Sequence, residues 1–215
     1  MVQWEKRKAV RRMGYLFAAV LGYLLGCSSM AYYIGKGKKT DIRKAGSGNL
    51  GASNATVLFG WGAGIAVALH DIGKAALAVY LAKWLLPGLD YVGAVAGTAC
   101  VLGHIFPFYL GFRGGKGLAS YFGMTLALNW KLALVVAAVI IVATLVTDYI
   151  AIGTLSTIVV VPAYTAFATR SRMLTAILCV GTLVMLYKHW ENILRIWKRE
   201  EIGLRSTIRG DKRVK

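Results

Sequence analysis

Apolar stretches long enough to cross a bilayer recur along almost the whole chain, and nothing else in the sequence limits its fold as strongly. A helix needs about 20 apolar residues to span the hydrocarbon core. Such stretches must be helical, because in lipid only a helix satisfies its own backbone groups within one segment. The composition agrees: 57% of residues are hydrophobic and only 16% are charged, against roughly a quarter charged in soluble domains. The fold class is therefore all-α: a polytopic integral membrane helical bundle, a single domain over residues 1–215. A basic segment (1–12) and a basic tail (198–215) flank it.

The expected spans are Met13–Ile34, Ala55–Leu86, Tyr91–Leu110, Leu118–Asn129, Lys131–Thr147, Tyr149–Ala168 and Met173–Tyr187. Leu118–Asn129 is short for a crossing. If it crosses, the bundle has about seven transmembrane helices including one short helix. Ala55–Leu86 is too long for a simple crossing and carries His70-Asp71-Ile72-Gly73-Lys74. It reads either as one tilted helix with a polar belt or as a helix broken near Gly73. Pro162 should kink the sixth span.

Seven crossings put Gly35–Gly51, Gly111–Gly117, the 147–149 turn and the C-terminal tail on one side. Their excess of Lys and Arg makes that side cytoplasmic. The basic N-terminus then falls outside, against the same rule. The net charge of +17 would suggest nucleic acid in a soluble protein. Here the cations sit in the gaps between apolar spans, as topology determinants and contacts for anionic lipid headgroups. No nucleic acid partner is expected.

Cys27, Cys100 and Cys179 each lie in an apolar stretch without a Cys/His cluster, so neither a metal site nor a disulfide framework is expected. The absence of visible internal repeats weakens a transporter reading.

Three polar motifs interrupt the apolar pattern. The first is Gly46-Ser47-Gly48-Asn49-Leu50-Gly51-Ala52-Ser53-Asn54. Its glycines permit a nest of successive N–H groups that receives an anion. Ser53 or Asn54 could cap the following helix. An ordinary flexible loop ending in a cap has the same composition.

The second runs from Gly103-His104 to Gly111-Phe112-Arg113-Gly114-Gly115-Lys116-Gly117. Lys116 offers a point charge for phosphate. It is not a Walker A loop, which requires Ser or Thr after the lysine. His104 reads equally as a packing residue.

The third is Lys188-His189-Trp190-Glu191-Asn192-Ile193-Leu194-Arg195. On a helix His189, Asn192 and Arg195 share one face. Such a face presents an imidazole and an amide to a ligand, or simply ends an interfacial helix anchored by Trp190. Asp71 and Lys74, at i, i+3, either neutralise each other or do chemistry at membrane depth.

No Ser-His-Asp set is present. An activated acyl donor and a bound hydroxyl need no protein nucleophile. They need alignment, donors where negative charge develops, and a base for the hydroxyl proton.

Read together and in this order, the three motifs resemble those of the bacterial acyl-phosphate:glycerol-3-phosphate acyltransferases, the PlsY family, over residues 14–197. Asp41-Ile42-Arg43-Lys44 precedes the first motif as it does in that family.

The resemblance implies a seven-helix enzyme of the bacterial plasma membrane with its active site facing the cytoplasm. Its reaction would move a fatty acyl group from acyl-phosphate to the 1-hydroxyl of glycerol 3-phosphate. That gives lysophosphatidate and phosphate, at the first step of phospholipid synthesis. No cofactor, metal or acyl carrier protein is implied, and a monomer is expected.

By the same resemblance Ser47, Gly48, Asn49, Ser53 and Asn54 bind phosphate, as do Gly114, Gly115, Lys116 and Gly117. His104 and Thr154 join the binding residues. His189, Asn192 and Lys116 are the catalytic set. The alternatives are a related acyltransferase with another phosphorylated or alcohol acceptor, and a non-enzymatic organic-phosphate transporter.

The chain departs from the pattern in places. Val57 stands where an arginine is usual, Asp148 where Arg or Lys follows Thr147, Ala151 and Thr154 where serines are usual, and Cys27-Ser28-Ser29 for Ser-Ile-Pro. A Gly-Thr-Glu after the third motif is not evident, although Glu200 and Glu201 lie close by. Losing one cation and gaining an anion should weaken binding of a doubly charged substrate, at about 1.5–3 kcal/mol per charge-assisted contact. Arg113, Arg43 and Lys74 are the cations at hand to compensate.

Overall fold

The computed structural model describes residues 2–201 and 203–209. The described residues form an all-helical membrane bundle. Its helices are α1 (Val2–Cys27), α2 (Met30–Gly37), α3 (Ala52–Phe59), α4 (Trp61–Leu85), α5 (Val92–Ile105), α6 (Leu118–Leu128), α7 (Trp130–Thr147), α8 (Ile150–Thr169), α9 (Arg172–Trp197) and α10 (Leu204–Arg209). Six segments are long and apolar enough to cross a membrane, and α6 is a further short apolar helix. Of the basic tail expected over 198–215, residues 202 and 210–215 lie outside the described residues.

Several boundaries differ from the sequence reading, each for a local reason. The first span begins at Val2, because the basic segment continues the helix of the apolar stretch. It is interrupted at Ser28–Ser29, where the Ser29 side chain accepts from the Tyr32 amide and starts α2. The long 55–86 stretch breaks at Gly60, not near Gly73. Gly60 adopts φ 89°, ψ 172°, a conformation open to glycine alone. Gly73 lies inside an unbroken α4, as isolated helical glycines are tolerated at about 1 kcal/mol. The last span runs on to Trp197 and so carries the whole third motif on a helix. Pro162 lies within α8.

Close helix approach rests on small residues, the usual device inside a bilayer. A Cβ on Gly22 or Gly26 would strike the carbonyl of Ala96 or Cys100, and one on Gly103 would strike that of Tyr23. These contacts advance together along both helices, so α1 and α5 run parallel. Gly123 likewise lets α6 press against the Ile72 carbonyl of α4. The main core is built from Ala75, Val79, Val101, Tyr121, Met124 and Met185 with their neighbours.

The hydrogen bonds between connections sort them onto two faces. On one face the Tyr15 hydroxyl donates to Asp90 O (2.7 Å), and the hydroxyls of Ser171 and Tyr91 meet at 3.1 Å. This face therefore holds α1 at the level of Tyr15, the α4–α5 connection and the α8–α9 turn. On the other, Arg43 reaches Leu110 O (3.4 Å), Lys116 reaches Asn192 (2.6 Å), and the Leu204 amide reaches Asp148 O (2.6 Å). Both glycine loops, the α7–α8 turn and the C-terminal segment share this face, as the count of crossings anticipated.

Candidate active site

The glycine loop over 46–51 is built around one buried side chain. Asn54, in the first turn of α3, accepts from the Ser47 amide (2.9 Å) through Oδ1. Its Nδ2 lies 3.0–3.3 Å from the carbonyls of Ile42, Ala45 and Asn49. Gly46, at φ 58°, must be glycine, because a Cβ there would strike Asn54 Oδ1. Ile42 and Leu50 anchor the loop in an apolar cluster with Ala55, Val67 and Leu110.

Two sequence expectations change here. Neither Ser53 nor Asn54 caps α3; the cap position is Gly51, without a side-chain bond. Nor do successive amides form an open nest, since Ser47 N–H goes to Asn54 and Gly48 N–H to Ala45 O (3.0 Å). The loop offers an anion its exposed Ser47 and Ser53 side chains and the half-buried Asn49.

The second glycine loop is held from below. Gly114 N–H donates to Ile105 O (3.0 Å) and Gly115 N–H to His104 O (3.1 Å). These amides therefore fold the loop rather than face an anion. A Cβ on Gly115 would run into the His104 ring, so the loop lies directly on that imidazole. Beneath is a buried polar cluster. Asp71 Oδ1 is 2.8 Å from Lys74 Nζ and 3.3 Å from His104 Nδ1. Lys74 Nζ also meets His104 Nδ1 (3.0 Å) and donates to Ser28 O (2.7 Å). His70 closes the cluster, 3.0 Å from the Ser28 hydroxyl and 3.4 Å from Asp71. The Asp71–Lys74 pair does neutralise itself, as one reading of the sequence held, and it also fixes the floor of the loop.

The third motif lies on α9. His189 and Asn192 are buried. His189 Nδ1 sits 2.8 Å from Met185 O, which requires the proton on Nδ1 and leaves Nε2 as the acceptor in the neutral ring. Asn192 bridges two elements: its Oδ1 accepts from Lys116 Nζ (2.6 Å), and its Nδ2 donates to Glu201 Oε1 (2.7 Å). Glu201 Oε2 takes Arg195 Nε at 2.6 Å. Glu201, noted in the sequence only for its nearness, thus completes the group. Its link to Asn192 depends on a chain reversal after Trp197 that residue spacing alone does not reveal.

Of the cations considered as replacements for an arginine at Val57, two have other partners. Arg43 is paired with Asp41 at 2.9 Å and Lys74 with Asp71, while Arg113 is exposed. Arg43 holds the Asp41 carboxyl below its ordinary pKa by hydrogen bonding. Val57 is exposed on α3. Thr154 is buried, and its hydroxyl donates to Ile150 O (3.2 Å) in its own helix.

At 1.5 Å per residue α6 is roughly 17 Å long, short of a hydrocarbon core of about 30 Å, while Val92–Leu110 is long enough to cross. Gly117 packs against Met185, twelve residues or about 18 Å before the end of α9. The Lys116 loop lies below the end of α9, which rises past it with His189 and Asn192 on successive turns. The first loop joins this site through Arg43 and Leu110.

Comparison with known proteins finds relatives in both sequence and fold. The family model described as glycerol-3-phosphate acyltransferase covers residues 16–199. A glycerol-3-phosphate acyltransferase 1 of Oceanobacillus iheyensis is 38% identical over 90% of this chain and 97% of its own. A glycerol-3-phosphate acyltransferase of Coxiella burnetii is 37% identical over 88% and 97%. Among solved structures, the glycerol 3-phosphate form of PlsY (YgiH), an integral membrane glycerol 3-phosphate acyltransferase, superposes with a TM-score of 0.82 at 30% identity, covering 88% of this chain and 94% of that one. Its lysophosphatidic acid form gives 0.81 at 28% identity, over 90% and 98%. With three motifs in family order, a matching bundle and relatives aligned over nearly their full length, the chain belongs to the glycerol-3-phosphate acyltransferase family.

Proposed function

We propose that this protein transfers a fatty acyl group from acyl-phosphate to the 1-hydroxyl of glycerol 3-phosphate at the cytoplasmic face of the bacterial plasma membrane. The new ester is lysophosphatidate, and inorganic phosphate leaves. The observation that carries the reading is the 2.6 Å contact between Lys116 and Asn192. It brings a glycine loop and a helical polar face, 76 residues apart in the chain, together around one ammonium.

The chemistry follows from the parts. A donor dissolved in the bilayer presents its phosphate at the membrane boundary, where the second glycine loop carries Lys116. The Lys116 ammonium offsets charge on the departing phosphate, and Asn192, held by Glu201, fixes its direction. The acceptor hydroxyl attacks the acyl carbon. His189 Nε2, the free acceptor of a ring whose Nδ1–H is bonded to Met185 O, takes its proton. Ser47, Asn49 and Ser53 offer neutral donors to the acceptor's phosphate, and His104, Gly114, Gly115 and Gly117 shape the pocket floor. This chemistry needs no protein nucleophile, since the donor is already activated and the acceptor hydroxyl attacks it directly.

The test is phosphate release from acyl-phosphate by purified protein. Release should require glycerol 3-phosphate, and Lys116→Ala and His189→Ala should abolish it. Full activity in both variants would refute the assignment.

A further inference from the structure

Asp148 is the least expected residue on the active face. It adds a negative charge to a turn where the family resemblance leads one to expect a positive one. Its carboxylate meets Gly203 and Arg205 rather than either glycine loop. Asp148 ends α7 in the left-handed conformation, φ 68°, ψ 0°, which Asp tolerates better than most residues. In this position its carbonyl accepts from the Leu204 amide (2.6 Å) and its Oδ1 from the Arg205 amide (2.9 Å). The Arg205 guanidinium lies 3.9 Å from the same carboxylate. Gly203 packs so closely on Asp148 Oδ2 that a Cβ there would collide with it.

The segment so held is the continuation of α9. After Trp197 the chain reverses at Arg199, φ 59°, with the Glu200 amide donating to Arg195 O (2.7 Å). Glu201 then turns back onto α9 to meet Asn192 and Arg195. Glu201 is thus held between a reversal on one side and the Asp148 attachment on the other.

We propose that Asp148 is a positioning residue: it fastens a C-terminal strap whose placement sets Glu201, through Glu201 the Asn192 amide, and through Asn192 the Lys116 ammonium. The catalytic part of this inference rests on the acyltransferase reading above. The chain carries Asp at 148 because its partner is the strap, with two backbone N–H groups and a guanidinium, and not a substrate phosphate.

The experiment combines limited trypsin digestion in detergent with steady-state kinetics. Asp148→Ala should speed cleavage after Arg199 and Arg205 by about tenfold, the scale set by losing one or two hydrogen bonds that resist local opening. It should lower kcat/KM by a similar factor, with the thermal midpoint of the bundle unchanged. Asp148→Asn keeps an acceptor for the Arg205 amide and should restore most of both. Gly203→Val, which drives a side chain into the carboxylate from the strap side, should reproduce the Ala phenotype. Combined with Asp148→Ala it should add no further loss.

Cleavage is read without substrate, so fastening is judged separately from acyl transfer. Unchanged cleavage in Asp148→Ala and Gly203→Val would overturn the strap. Faster cleavage with full activity would overturn the positioning role.

Discussion

The two glycine loops look alike in sequence and are held in opposite ways. The 46–51 loop is organised from within its own neighbourhood: Asn54, a few residues on, bonds Ser47 and Asn49 within it and Ile42 and Ala45 just before it. The 111–117 loop is organised from afar. It lies on His104, which rests on Asp71 and Lys74 of another helix. Its lysine is held by Asn192 of a third. Glycine content therefore says that a backbone must turn sharply or approach closely. It does not say which groups hold the turn or which amides are left for a ligand. In both loops the amides first suspected of binding phosphate are partly used to fold the loop.

The difference predicts opposite responses to mutation. The largest effect belongs to the shared support. Asp71→Ala leaves the buried Lys74 ammonium without its carboxylate, a loss of about 3–5 kcal/mol. Thermal unfolding in detergent should show a strongly lowered midpoint, with acyl transfer lost alongside. An unchanged midpoint would show that the second loop is as self-sufficient as the first.

This contrast also explains what could be read from the sequence. The all-α class, seven crossings and the shared face of the loops were legible, because hydrophobic length and charge excess are local quantities. His189 and Asn192 on one helical face were legible from i, i+3 spacing. The break at Gly60 was not, because Gly60 and Gly73 look alike until one adopts a positive φ. The Asp71–Lys74 pair was visible as neighbours on a helix, but its hold on His104 joins residues 30 apart or more. Glu201 and Asp148 were the hardest. Their partners are reached through a chain reversal, and an isolated acid reads only as an unwelcome charge.

A smaller effect is expected at the self-contained loop. Asn54→Ala removes the organiser and leaves buried carbonyls short of a donor, a loss of about 1–3 kcal/mol. The thermal midpoint should fall less than in Asp71→Ala, while kcat/KM for glycerol 3-phosphate falls by about a hundredfold, as displacement of a binding group by about 1 Å can cause. A midpoint lowered as far as in Asp71→Ala would erase the distinction between the loops.

The smallest effect concerns pH. Arg43 holds Asp41 below the ordinary carboxylate value, about 3.9. A depressed pKa stabilises the folded form above that ordinary value and ceases to do so only as pH falls through the depressed one. Asp41→Asn should therefore leave the pH profile of acyl transfer unchanged between about 5 and 9. A profile that shifts in this window would tie the first loop to a titration this pairing does not provide.

The most direct measurement is an experimental structure with a non-cleavable acyl-phosphonate and glycerol 3-phosphate bound together. The account predicts the phosphonate in hydrogen-bonding reach of Lys116 Nζ, the acceptor hydroxyl between it and His189, and both phosphorus groups on the face that holds the two glycine loops. A phosphonate bound away from Lys116, or on the face that holds Tyr15 and Asp90, would contradict it.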